Sequence, residues 1–307
     1  MKFNIYHFFN NKLSQFYSRA SIVERKKLLI YFDKGVSWYS ALGCLWRFKT
    51  LLNPSMVDVC LLSSKVIKTE NWEHNTIALI IPGGRSKPYY TSLSEEGNKK
   101  IMNYVKKGGG YLGICAGAYY ASKKTEFELH SPLELQLYGP LDLFQGKAKG
   151  PAYGSGKFSY TTLQGVEAAR ITWTPAESLS QGNEGYVYYN GGCYFSTDED
   201  PRFTVLANYS DIQNHPAAVI EGHVGHGKVI LTGTHFEVNP FMLRFYPFQG
   251  QRRNLINELI LSKKYQDEVL TSILLRLKVP RSCFVSSQVR LDNSLNIQNS
   301  THYRSKL

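Results

Sequence analysis

Cysteine is scarce and unpatterned in this chain. The five residues, at 44, 60, 115, 193 and 283, are odd in number and show no CxxC or metal-ligand spacing. A disulfide-stapled scaffold or a zinc module is thereby excluded, and a reducing, cytoplasmic setting is expected. No apolar run approaches the roughly 18 residues needed to cross a membrane as a helix. The first residues do not compose a signal peptide, because Asn4, His7, Asn10 and Asn11 interrupt any apolar core. A P-loop lysine motif is also missing, and with it the usual phosphate cradle. The residues call for no cofactor and no metal.

Basic residues are plentiful, yet the middle of the chain is nearly neutral. Of the net charge of +12, residues 1–27 hold six Lys/Arg against one acid, and residues 263–307 hold eight against three. This distribution argues against a central nucleic-acid groove. Basic ends that touch an acidic surface weakly are the remaining electrostatic role. With 307 residues and 43% hydrophobic content, the chain can bury a substantial core.

The stretch Ile77–Ser122 organises the rest. Ile77–Ile81 reads as a buried strand that ends in Pro82-Gly83-Gly84. Ser94 is suited to cap a helix with Glu95 and Glu96 in its first turn. Ile101, Tyr104 and Val105 recur at helical spacing, and Gly108-Gly109-Gly110 ends that helix. The strand Tyr111–Ile114 then runs into Gly113-Ile114-Cys115-Ala116-Gly117. Glycine two before and two after a nucleophile-type residue is the composition of a tight strand-to-helix elbow, which lifts the central side chain clear of the sheet. A thiol there also lies near free helix N–H groups, which favour the thiolate.

Upstream, Leu28–Phe32 and Val57–Leu62 are strand candidates, the second expected to bury Cys60. Trp38–Leu52 reads as a helix between them, entered at a candidate cap, Ser37, and ended by Asn53-Pro54. Strands separated by helix-length segments indicate a parallel α/β sheet, with active groups at the strands' carboxyl ends. From Glu126 onward the texture changes to short strands and glycine- and proline-rich loops. Val187–Tyr189 and Cys193–Phe195 flank Asn190-Gly191-Gly192, a strong turn signal. Ala217–Ile220 pairs plausibly with Lys228–Thr232 across a loop of residues 221–227. This section is expected to be an insertion within one α/β domain, placed as a wall of the site.

The strand Val229–Thr232 leads into Gly233-Thr234-His235-Phe236-Glu237. A thiol needs a base to take and return its proton, and a carboxylate can fix an imidazole's tautomer. Two residues apart in extended backbone, His235 and Glu237 point the same way. An oxyanion would fall to the N–H of Ala116 and to one from the Gly83-Gly84 turn. Arg85 follows that turn and is placed to hold an anionic substrate group or to form a surface ion pair. Glu221, His223 and His226 could suggest a metal site, but their glycine-rich setting suits an exposed hairpin loop better. Asp198-Glu199-Asp200 reads as a solvated turn.

These motifs, together with Pro88-Tyr89-Tyr90 and the run YYNGGCYF at 188–195, resemble the amidotransferase-like region at the amino end of eukaryotic-type biotin-protein ligases. The resemblance runs from about Leu28 to Val279. It leaves residues 1–27 as a basic extension and 280–307 as a polar basic tail, the latter too short for a biotin-binding catalytic domain. It implies a class I glutamine amidotransferase-like domain, a flavodoxin-like α/β sandwich with a central, mostly parallel sheet and an inserted strand-and-loop section. It further implies Cys115 as nucleophile, His235 as base, Glu237 as orienting acid, and Gly84 with Ala116 as oxyanion donors. The chain departs from the amidotransferase pattern in three motifs. Tyr119 stands where the elbow helix would carry Gln, His235-Phe236-Glu237 replaces HPE, and Arg85-Ser86 replaces Ala-Asp. The expected activity is cysteine-dependent hydrolysis of a carbon–nitrogen acyl bond in a small amide-containing metabolite or peptide. The alternative is a catalytically silent binding or regulatory module, with a protein partner among its candidate ligands.

Overall fold

The computed structural model describes residues 25–175, 179–180, 182–245 and 253–285. The basic extension up to residue 24 and the tail beyond 285 lie outside the described residues. Among those described, thirteen strands form one continuous mixed sheet. Its parallel half comprises β1 (Lys26–Tyr31), β2 (Val57–Leu62), β3 (Thr76–Ile81), β4 (Gly110–Ile114) and β13 (Gly227–Thr232), in the order β2-β1-β3-β4-β13. These strands are near-continuous apolar runs, as sequences buried on both faces must be. Leu28, Ile30, Ala78 to Ile81 and Val229 to Leu231 are each fully buried or nearly so.

Helices α1 (Trp38–Leu51), α2 (Ser64–Thr69) and α3 (Ser86–Lys106) connect the first four parallel strands, and α4 (Ala116–Ala121) leads from β4 into the inserted section. Two further helices, α5 (Arg253–Leu261) and α6 (Lys263–Arg276), follow the last strand. Helix α3 begins eight residues before the expected cap at Ser94. Pro88 suits a first helical turn, where its missing N–H has no intrahelical partner to lose. Ser94 instead breaks the helix, at φ 56° and ψ −175°, and its hydroxyl donates to the Leu93 carbonyl. Glu95 behind the break pairs with Lys99 one turn on. Ser37 precedes α1 as expected but makes no side-chain capping bond.

Strand β2 matches its expected bounds, but Cys60 is exposed rather than buried. The strand forms an edge of the sheet, so its outward side chains have less to pack against. All five cysteines are unpaired thiols.

The expected insertion extends the same sheet. Strand β12 (Ala217–Val224) pairs antiparallel with β13 and continues past Ile220, so His223 lies in a strand opposite Lys228 rather than in a loop. Beyond β12 the sheet forks. One branch runs through β10 (Tyr194–Ser196), β7 (Phe144–Gly150), β5 (Ser122–Phe127) and β6 (Leu135–Tyr138). The other runs through β11 (Phe203–Tyr209), β8 (Val166–Trp173) and β9 (Glu184–Asn190). Asn190-Gly191-Gly192 is a turn, with Gly191 at φ 68°, but the strands it joins do not pair with each other. Each finds its partner in a different branch, and Gly192 packs closely on Gly233: a Cβ at Gly192 would meet the Gly233 carbonyl oxygen at 1.7 Å.

The last described residues return to the parallel half. The Asn53 N–H donates to the Cys283 carbonyl at 2.7 Å, the Val285 N–H donates to Leu51, and Phe284 is buried. Asp200, read from sequence as part of a solvated turn, is only 1% exposed. It accepts from the Arg202 guanidinium and from the Gln145 N–H.

Candidate functional site

The site lies at the carboxyl ends of β3, β4 and β13, three neighbouring parallel strands. Cys115 follows β4 directly, with φ 49° and ψ −104°. A non-glycine residue in this region stores backbone strain of about 1–3 kcal/mol and persists only where its surroundings hold it. The Cys115 N–H donates to Thr232 on β13, and its carbonyl accepts from Ala118 and Tyr119. Both flanking glycines are required by close packing. A Cβ at Gly117 would lie 2.0 Å from the Ile81 carbonyl oxygen, and one at Gly113 would lie 2.7 Å from that of Gly117. The elbow geometry expected from GxCxG is therefore present.

His235 and Glu237 are brought together by a turn rather than by extended backbone, since the Val238 N–H donates back to the His235 carbonyl at 3.3 Å. The imidazole Nδ1 lies 2.7 Å from Glu237 Oε1. The ring is held from the other side by β9, where the His235 N–H donates to Tyr188 and the two rings pack edge to face. Its Cε1 would be 2.6 Å from a Cβ at Gly83, whose same position lies 3.5 Å from the Cys115 Cβ. Burial opposes the charged imidazole, yet the Glu237 carboxylate and a hydrogen bond with the Cys115 side chain outweigh it and push the ring up to about 10. The Cys115 Sγ also approaches the Asn190 carbonyl at 3.7 Å.

Two residues of α1 complete the arrangement, and sequence reasoning missed both. The Ser40 hydroxyl donates to Glu237 Oε1 at 2.6 Å and accepts from the Gly83 N–H at 2.8 Å. It thus ties the carboxylate to the glycine turn beside the thiol. Arg47, only 1% exposed, lies with Nη2 2.5 Å from Asp267 Oδ1 on α6 and also feels the Glu237 charge. Burial pulls this guanidinium down, while Asp267 and Glu237 hold it charged. Neither residue had a sequence signal, because Ser40 and Glu237 are 197 positions apart.

Gly84, Ala116, Tyr119 and Asn190 line a narrow cleft beside Cys115. The cleft measures about 30 Å³, room for roughly a water or two. Tyr119 lies on the thiol's side of α4, as its spacing of one helical turn predicts, and is 4% exposed. Its hydroxyl donates to the Gly191 carbonyl at 3.3 Å, and its ring packs edge to face on Phe127. Arg85 is exposed at the mouth, stacked 4.4 Å over the Tyr160 ring. The suspected metal residues do not converge: Glu221 pairs with Lys228 and Arg276, away from the thiol.

A mixed sheet whose parallel half carries a strained cysteine elbow defines an amidotransferase-like α/β protein. Residues 26–297 match the family model described as the N-terminal part of biotin-protein ligase, and the chain belongs to that family. It is 39% identical over 217 residues to an uncharacterized protein of Chlamydia muridarum, covering 70% of this chain and 82% of that one. It is 32% identical over 262 residues to the biotin–protein ligase of Schizosaccharomyces pombe. That match covers 83% of this chain but 38% of the yeast enzyme. Among solved structures, a β-galactosidase from the haloarchaeon Halorubrum lacusprofundi aligns with 85% of this chain and 32% of its own, at 13% identity and a TM-score of 0.44. Among the described residues no helix is long and apolar enough to cross a membrane.

Proposed function

We propose that this chain is an amidotransferase-like binding module that has kept the cysteine site while closing the pocket for glutamine. The observation that carries this reading is Tyr119. The amidotransferase pattern has a Gln here, able to donate to and accept from a substrate carboxamide. The tyrosine offers one hydroxyl, already directed to the Gly191 carbonyl. Its side chain lines the cleft beside the thiol, which is narrow at about 30 Å³. The module's ligand is a small metabolite in the cleft or a protein partner on its loops. Biotin transfer is the named activity of the yeast relative, most of whose length has no counterpart in this match.

A second reading has its own support. The strained elbow and the His235–Glu237 pair favour slow cysteine-dependent acyl hydrolysis of a compact amide. In that case Cys115 would attack the carbonyl, and the Gly84 and Ala116 amides would steady the oxyanion. Imidazolium at His235 would protonate the leaving amine, and water would then release the acyl group.

Release of ammonia from primary amides, and of new amines from peptides, separates the two. With glutamine, the unmodified protein is expected to match Cys115→Ala. With a panel of small amides and short peptides, the module again matches Cys115→Ala, whereas the hydrolase shows a Cys115-dependent rate on at least one compound. Cys115-dependent turnover of glutamine by the unmodified protein would contradict the proposal.

A further inference from the structure

A larger cavity of about 510 Å³ opens beside the thiol cleft, and Ser86, Leu135 and Tyr160 line both. This is an ordinary size for a small-molecule site. Its lining carries two cations, Arg85 and Lys87, against one carboxylate, Glu134. Glu134 is already engaged: Oε1 accepts from Gln136 Nε2 and Oε2 from the His130 N–H, each at 2.8 Å. The Gln136 and His130 bonds hold its carboxyl below the usual range, so it stays ionised. The lining therefore carries one net positive charge.

Arg85 is pre-organised to use that charge. Its exposed guanidinium lies 4.4 Å over the Tyr160 ring and presents a planar N–H edge. That edge matches the geometry of a planar carboxylate. Tyr160 lines both the larger cavity and the thiol cleft, so its ring borders the passage from Arg85 to Cys115. Leu133 and Leu135 supply an apolar wall along the same space.

We infer that this vestibule is a subsite for a small organic monocarboxylate. The carboxylate sits on the edge of Arg85, and the carbon chain runs along Leu133 and Leu135, past Tyr160, toward Cys115. The inference rests on the reading of the cleft as a ligand-binding site. A single net charge suits a monoanion better than a phosphate dianion.

Titration calorimetry with hexanoate, methyl hexanoate and hexyl phosphate tests it, using the unmodified protein, Arg85→Gln and Lys87→Gln. Hexanoate should bind the unmodified protein and slow iodoacetamide labelling of Cys115, read by peptide mass spectrometry. The ester should bind at least about tenfold more weakly, and Arg85→Gln should weaken hexanoate by a similar factor. Lys87→Gln should weaken it less, since a lysine offers charge without the planar fork. Circular dichroism confirms that both variants are folded. No binding of hexanoate, equal binding of the ester, tighter binding of hexyl phosphate, or an unchanged affinity in Arg85→Gln would each overturn the subsite. Cys115-dependent ammonia release from glutamine would instead overturn the closed-pocket reading, and the hexanoate titration would still report on Arg85.

Discussion

Ser40 shows how one hydroxyl can order a site assembled from three distant segments. It donates to Glu237, which holds His235, and accepts from Gly83, which packs against the same imidazole. Replacing it with alanine leaves a buried amide and one carboxylate oxygen short of partners. Ser40→Ala is therefore expected to cost about 1–3 kcal/mol in urea denaturation. His235 makes a second prediction, with a sign fixed by its neighbours. Burial alone would lower its pKa, but Glu237 and Cys115 raise it from 6.5 to about 10. A raised histidine contributes stability that is fully present below the unfolded value and is lost as pH rises through the folded one. The melting temperature of the unmodified protein should thus fall between about pH 6.5 and 10 relative to its value at lower pH. In His235→Gln that fall should be smaller, and an identical profile would show that the ring is not charged.

The elbow is the element on which the site depends, and it was legible because glycine is the only residue that its packing tolerates. Gly117 touches the Ile81 carbonyl, so Gly117→Ala forces β3 and α4 apart. A loss of about 1–3 kcal/mol or more is expected on unfolding, together with a changed labelling rate at Cys115. The parallel strands were equally legible, since burial on both faces leaves unbroken apolar runs. Other elements were not. Nothing local announces that Ser94 interrupts a helix that began at Ser86, because the preceding residues carry only a weak apolar stripe. Asn190-Gly191-Gly192 signals a turn, but the partners of its flanking strands are set by tertiary pairing with β7, β8 and β12. Cys60 was misplaced because period-two patterning does not reveal which face of an edge strand stays uncovered. The residues that bind the site from behind, Ser40 and Arg47, lie on a helix whose sequence reads only as amphipathic.

At the scale of the whole molecule, one sheet carries both the parallel half with the site and the antiparallel half that walls it. Helix α6 pins the two, through Arg47–Asp267 on one side and the Tyr265 hydroxyl on the Ile171 carbonyl on the other. Beyond α6 the described residues pack back against α1 at Phe284. Phe284→Ala should lower stability by about 3 kcal/mol in chemical denaturation, as removal of a buried aromatic does. A change within about 0.5 kcal/mol would mean that this closing segment is not part of the cooperative fold.

The function proposed for the site has two halves, a reactive thiol at Cys115 and a pocket that Tyr119 closes to glutamine. Covalent labelling by a diazoketone analogue of glutamine, read as intact mass and mapped to a peptide, tests both halves at once. The unmodified protein should remain unlabelled at Cys115, and Tyr119→Gln should gain one adduct there that is absent from the double variant with Cys115→Ala. Stoichiometric labelling of Cys115 in the unmodified protein, or none in a folded Tyr119→Gln, would contradict the account.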